Sequence, residues 1–287
     1  MAFNWKTFQT RTLTAVVFAA VMLTGLLWNH WSFFILFSII HFGCWWEYFN
    51  LLEKIHATII HRYTRLGFML IGFSVMLWFC GPGFKINDYH LKENFSFPVS
   101  IAGLVMLGMG IFQTKKIELK AFGTTVLGLL YISLCWGLML NLSGTAEDFQ
   151  SKDYFSLIPC TIIFSIWIND TMAYIVGSLI GKTPLSSISP KKTWEGTLGG
   201  VILATLVAWI VARQFDFDIE TIIIISAISS IAGTFGDLLE SKLKRLAGVK
   251  DSGSFMPGHG GFLDRFDSML LATPAVWLYI FFFHKII

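Results

Sequence analysis

Charge is scarce in this chain. Only 14% of its 287 residues are Asp, Glu, Lys or Arg, 55% are hydrophobic, and the mean hydropathy is +0.66. A soluble domain carries about 25% charged residues, so an ordinary soluble fold is excluded and an all-α polytopic membrane protein is expected. Cysteine is scarce too. Cys44, Cys80, Cys135 and Cys160 lie in or beside apolar segments with no paired spacing. They imply neither a disulfide framework nor a zinc site, and read as small buried apolar residues. There is no low-complexity linker, no internal repeat and no pattern of a nucleic-acid-binding fold. The net charge of +3 therefore reflects membrane topology, and no nucleic-acid partner is expected. No clear cleavage site follows the first apolar run, so that run, preceded by Lys6 and Arg11, is expected to be a retained anchor.

Apolar runs long enough to span a bilayer fall at about 12–28, 31–50, 67–81, 97–113, 122–142, 156–180, 197–214, 219–238 and 267–285. With the N-terminus cytosolic, about nine spans place most of the 21 lysines and arginines on the cytosolic side. The positive-inside rule thus favours nine transmembrane helices with a non-cytosolic C-terminus. Trp28, Trp31, Trp45 and Trp46 read as residues of the interfacial belt.

Polar residues are distributed unevenly. Almost all that could carry chemistry follow residue 165. Residues 1–121 (about four helices) read as a transmembrane scaffold, and 122–287 (about five helices) as the catalytic part, both within one membrane domain. Span eight presents Ser226, Ser229, Ser230, Gly233 and Gly236 at helical spacing, which suits close helix packing.

The richest stretch is Ser241–Asp267, with five basic residues, three acids, one histidine and five glycines between two apolar runs. Asp237, Glu240, Ser241 and Lys244 are spaced i, i+3, i+4, i+7, and share a face if span eight continues as a helix beyond the membrane. Asp264, Asp267 and Ser268 repeat the pattern at the start of span nine. Each cluster alone could be a solvated helix end. Two such ends on one membrane side, joined by a glycine-rich loop, can supply hard oxygen ligands to magnesium. Gly258-His259-Gly260-Gly261 lets backbone approach a phosphate; no Cys or His accompanies His259, so a phosphate hydrogen bond suits it better than zinc.

Asp170 lies within span six, where a carboxylate is costly and points to function, with Tyr174 one turn on. The next loop carries Lys182 and then Ser189-Pro190-Lys191-Lys192-Thr193-Trp194, which offers hydroxyls and cations to phosphate beside an aromatic face.

At these residues the chain resembles the phosphatidate cytidylyltransferase (CDP-diacylglycerol synthase) family. The likeness runs through Ser241, Leu243, Lys244, Arg245, Lys250, Asp251, Gly253, Met256, Pro257, His259, Gly260, Gly261, Phe262, Asp264, Arg265, Phe266 and Asp267. Upstream it includes Asp170-x-x-Ala-Tyr174, Ser189-Pro-x-Lys-Thr-Trp194 and Gly236-Asp-x-x-Glu-Ser241. Met256 replaces a more usual Leu, Ile or Phe, and Ser178 stands where a basic residue is common, with Lys182 a substitute.

The resemblance implies transfer of the cytidylyl group of CTP to phosphatidic acid, giving CDP-diacylglycerol and pyrophosphate. It implies Mg2+, with a second cation left open. Asp237 and Asp264 are the expected metal ligands, supported by Glu240 and Asp267. Lys192, Lys244, Arg245 and His259 join those two aspartates as catalytic residues. Asp170, Tyr174, Lys182, Ser189, Lys191, Thr193, Lys250, Gly260, Gly261 and Arg265 are the expected substrate-binding residues. The expected partners are CTP, phosphatidic acid and membrane lipid, with homodimerisation left open. The expected location is the bacterial inner (plasma) membrane. A transferase acting on another lipid phosphate is the first alternative. A transporter with Asp170 on its path is the second, disfavoured because polarity is one-sided rather than repeated in both halves.

Overall fold

The computed structural model describes residues 5–114, 117–144, 156–255 and 260–283, with side chains from residue 12 onward. The helices are α1 (Trp5–Leu27), α2 (His30–His56), α3 (Arg62–Trp78), α4 (Ser96–Gln113), α5 (Leu119–Gly128), α6 (Cys135–Gly144), α7 (Leu157–Ile180), α8 (Trp194–Gln214), α9 (Ile219–Leu246) and α10 (Leu263–Phe283). A π-helical segment, Leu129–Leu134, joins α5 to α6, and another, Leu91–Phe95, leads into α4. The expected all-α polytopic class holds. Among the described residues, seven helices are long and apolar enough to cross a membrane, Thr12–Leu27 is a shorter apolar stretch, and α3 has 17 residues. One departure is a small hairpin, β1 (Lys85–Ile86) and β2 (Tyr89–His90), paired antiparallel.

Local sequence explains the breaks. Asn29 accepts the Ser32 N–H at 2.9 Å while Ser32 Oγ accepts the Asn29 N–H at 3.1 Å, a reciprocal cap that starts α2. Ala57 ends that helix in the left-handed region, φ 49°.

The chain divides into two compact units. The first comprises 1–141 and 244–266, the second 142–243 and 267–287. In the first, Trp45, Trp136, Phe33, Phe37 and Phe49 are fully buried. Trp45 therefore belongs to the core and not to the interfacial belt; its indole N–H donates to Ser133 Oγ at 2.8 Å, and His41 Nε2 lies 3.0 Å from the same oxygen. A polar group on a segment this apolar is stable only when paired in this way. Cys80, just beyond α3, is buried, which fits an inert apolar-packing residue.

In the second unit, α7 and α8 pack closely enough that a Cβ on Gly196 would overlap the Ala173 carbonyl. The expected small-residue face of α9 is buried, with Ser165 Oγ donating to Ser226 Oγ at 2.9 Å. Gly236 lies against the backbone of Asp267 and Ser268. Small residues let these backbones meet where lipid offers no hydrophobic drive between helices.

Candidate functional site

The second unit holds a cavity of about 430 Å³. Helix α7 contributes Asn169, Asp170, Tyr174 and Ser178; the following loop contributes Ser189, Lys191, Lys192 and Thr193; α9 contributes Thr234 and Asp237. Seven of the expected site residues, widely separated in sequence, thus line one space: Asp170, Tyr174, Ser189, Lys191, Lys192, Thr193 and Asp237. Lys182 is exposed and does not line it.

The loop is shaped by its own hydrogen bonds. Trp194 N–H donates to Thr183 O at 2.9 Å, Leu185 N–H to Lys192 O at 2.7 Å and Lys192 N–H to Ser189 O at 3.0 Å. Glu195, in the first turn of α8, accepts the N–H groups of Lys182 and Thr183 at 3.2 Å. Thr193 caps α8 by accepting the Gly196 N–H at 3.1 Å. These contacts hold the two lysines at the cavity wall.

Asp237 is ion-paired to Lys192 through Oδ2 and accepts a long bond from Ser241 Oγ, 3.3 Å, at Oδ1. Asp237, Glu240 and Asp267 can each present a carboxylate oxygen, all within 4.8 Å of one another. Glu240 and Asp267 are buried, Asp237 is half-buried, and Asp237 is the member that also lines the cavity. Three hard oxygen donors at such spacing, with one facing a ligand space, fit magnesium.

The first unit holds a separate constellation. Lys244 Nζ donates to Asp264 Oδ1 at 2.6 Å. Asp264 Oδ2 accepts the Ser252 N–H (2.8 Å), the Ser252 hydroxyl (2.9 Å) and the Gly261 N–H (2.9 Å). Gly260, with φ +84°, sits in the left-handed region that glycine favours, beside the same carboxylate. Asp264 is thus surrounded by donors from its own unit. Arg245, Lys250 and Arg265 are exposed, and Arg245 Nη1 donates to Val249 O at 3.3 Å. His259 lies outside the described residues.

Two residues of this constellation, Ser252 and Glu47, were not among the expected site residues. Glu47, from α2, accepts bonds from Phe262 N–H (2.9 Å) and Leu263 N–H (2.8 Å), and shares the single Ser252 hydroxyl proton (2.7 Å) with Asp264. The available signal for Glu47 was simply that a carboxylate occurs inside an apolar run.

The class these features define is a polytopic membrane protein with a lysine-lined cavity beside clustered carboxylates, chemistry suited to phosphate-bearing ligands. A family profile described as the cytidylyltransferase family matches residues 9–283. The chain belongs to that family. It is 30% identical over 272 residues to a phosphatidate cytidylyltransferase of Staphylococcus saprophyticus, covering 93% of this chain and 97% of that protein. It is 31% identical over 294 residues to a phosphatidate cytidylyltransferase of Synechocystis, covering 94% and 95%. Similarity extends to a chloroplastic phosphatidate cytidylyltransferase of Arabidopsis thaliana, 40% identical over 205 residues, covering 66% of this chain and 52% of that protein.

Proposed function

We infer that this chain condenses CTP with phosphatidic acid, forming CDP-diacylglycerol and pyrophosphate. An oxygen of the lipid phosphate attacks the α-phosphorus of CTP. The bond from that phosphorus to the oxygen bridging it to the β-phosphorus breaks, and pyrophosphate leaves with the electron pair. The lipid phosphate is already anionic near neutral pH, so no strong general base is required. The obstacle is bringing two anions together, and positioning and charge compensation supply most of the catalysis.

The observation that carries this reading is the gathering of Asp170, Tyr174, Ser189, Lys191, Lys192, Thr193 and Asp237 around one cavity. Lys191 and Lys192 compensate phosphate charge, and Lys192 exchanges its partner Asp237 for a phosphate oxygen when substrate enters. Tyr174, 78% exposed, faces the lipid side of the entrance. Asp237, Glu240 and Asp267 hold magnesium, which offsets triphosphate charge when bound, and Lys244 with its partner Asp264 acts on the phosphates in the catalytic role the resemblance implies. Nine spans, a cytosolic N-terminus and an inner-membrane location are part of the same proposal, since CTP is cytosolic.

The test is turnover of labelled CTP by the purified protein in lipid nanodiscs, with phosphatidic acid and a panel of other lipid phosphates. Product with phosphatidic acid alone supports the assignment. Product only with another lipid phosphate moves the chain to a different substrate, and no product from any lipid refutes the reading.

A further inference from the structure

Glu47 is only 5% exposed, yet it bears a carboxylate. A buried carboxylate is stable when donors surround it, and among the described residues the three donors facing Glu47 come from one stretch over 200 residues further along the chain: Ser252 Oγ, Phe262 N–H and Leu263 N–H. Phe262 and Leu263 are the entry to α10, where backbone N–H groups have no partner within the helix. Such ends are usually capped by a local Ser, Thr, Asp or Asn. Phe262 has no acceptor in its side chain, and α2 supplies one. The negative charge also suits the positive end of the helix dipole.

The glycines of the loop fit this arrangement. A Cβ on Gly253 or on Gly261 would overlap the Glu47 carboxylate. The N–H of Gly261 is taken by Asp264, and those of Phe262 and Leu263 by Glu47. Over 261–263 the backbone donors therefore hold protein carboxylates. Ser252 ties the arrangement together, since its hydroxyl lies 2.7 Å from Glu47 and 2.9 Å from Asp264, the residue paired with Lys244.

We propose that Glu47 is a positioning residue for cytidylyl transfer: from the N-terminal half it clamps Ser252 and the turn 261–263 and so fixes Asp264 and Lys244. The proposal rests on the function inferred above. Glu47 acts on the loop and touches neither substrate.

Glu47→Gln tests it with side-chain volume unchanged. The amide has one acceptor oxygen where the carboxylate has two, so an N–H of Phe262 or Leu263 meets an NH2 group. A positioning role predicts a kcat at least about tenfold lower, KM for CTP and phosphatidic acid within about twofold, and an unchanged thermal midpoint. Amide hydrogen exchange at Phe262 and Leu263 should quicken by about tenfold or more, while exchange elsewhere is unaltered. If Glu47→Gln does not accumulate, Gly253→Ala, which presses on the same carboxylate from the loop side, is expected to give the same kcat–KM split. Unchanged kcat, a raised KM alone, or loss of activity that merely tracks global unfolding would each overturn the proposal. If the wild-type protein turns over no CTP, the functional reading has failed. Exchange at Phe262 and Leu263 then still decides whether Glu47 holds the loop.

Discussion

Replacing Asp237 by Asn should separate catalysis from folding, and the geometry indicates by how much. Asp237 lies in a group of carboxylates whose ligand oxygens are within 4.8 Å of one another. At an effective dielectric constant of about 20, two ionised carboxylates at that distance repel by roughly 3 kcal/mol. Against that relief stands the loss of the Lys192 ion pair, whose side chains are 28% and 27% exposed. A partly exposed pair contributes about 0–1 kcal/mol after screening. The substitution is nearly isosteric, so no cavity forms. Unfolding stability should stay within about 1 kcal/mol of the wild type or rise. Turnover should instead fall at least 100-fold, about 2.7 kcal/mol of transition-state stabilisation, because an oxygen ligand is lost and Lys192 is no longer held at the cavity wall. Thermal unfolding in detergent and CTP turnover across a magnesium titration measure the two quantities. Near-wild-type turnover, or unfolding stability lowered by several kcal/mol, would refute the reasoning.

Other consequences can be checked in the same preparations. Magnesium at about 100 times its Kd should stabilise the folded protein by about 2.7 kcal/mol; chelator should abolish both the stabilisation and turnover, and Asp267→Asn should lose the shift. Glu195→Ala removes the acceptor for the Lys182 and Thr183 N–H groups and should loosen the loop carrying Lys191 and Lys192. A KM for CTP raised at least about threefold, with an unchanged thermal midpoint, is the expected outcome. Gly67→Ala should destabilise the protein by about 1–3 kcal/mol, because the added Cβ would approach the backbone of Gly103 and Leu107 on α4 and the two helices must part. An unchanged unfolding midpoint in that variant would contradict the α3–α4 packing.

What the sequence discloses follows from the range of each signal. Asp170 and Tyr174 are one helical turn apart and Ser189–Trp194 is contiguous, so local spacing reveals both. The shared face of Asp237, Glu240 and Lys244 depended on span eight continuing as a helix, and α9 does run to Leu246, which puts all three on it. The apolar runs were less informative at other ends. Helix α2 continues to His56 and α8 begins at Trp194, because hydropathy marks the lipid-immersed part of a helix while hydrogen bonding and caps decide where it stops. Trp45 looked interfacial by residue type, but Ser133 supplies an indole partner inside the core, and no local pattern announces a contact 88 residues away.

The glycine-rich loop shows most clearly how a correct chemical reading can be incomplete. Glycines and free N–H groups before a helix describe a cradle for an anion, and the residues there do cradle anions. Among the described residues, the anions are the protein's own: Asp264 three residues after Gly261, and Glu47 more than 200 residues before it. Spacing can specify the receptor for a negative charge without specifying which carboxylate or phosphate fills it. Glu47 was visible as a charge in an apolar run, but its partner was not, since a contact between α2 and the entrance of α10 leaves no periodicity in either segment. An unexplained buried carboxylate and an unassigned set of backbone donors in the same membrane chain are therefore to be considered together. Each supplies what the other needs, and pairing them here assigns a structural purpose to Gly253 and Gly261 that phosphate binding does not require.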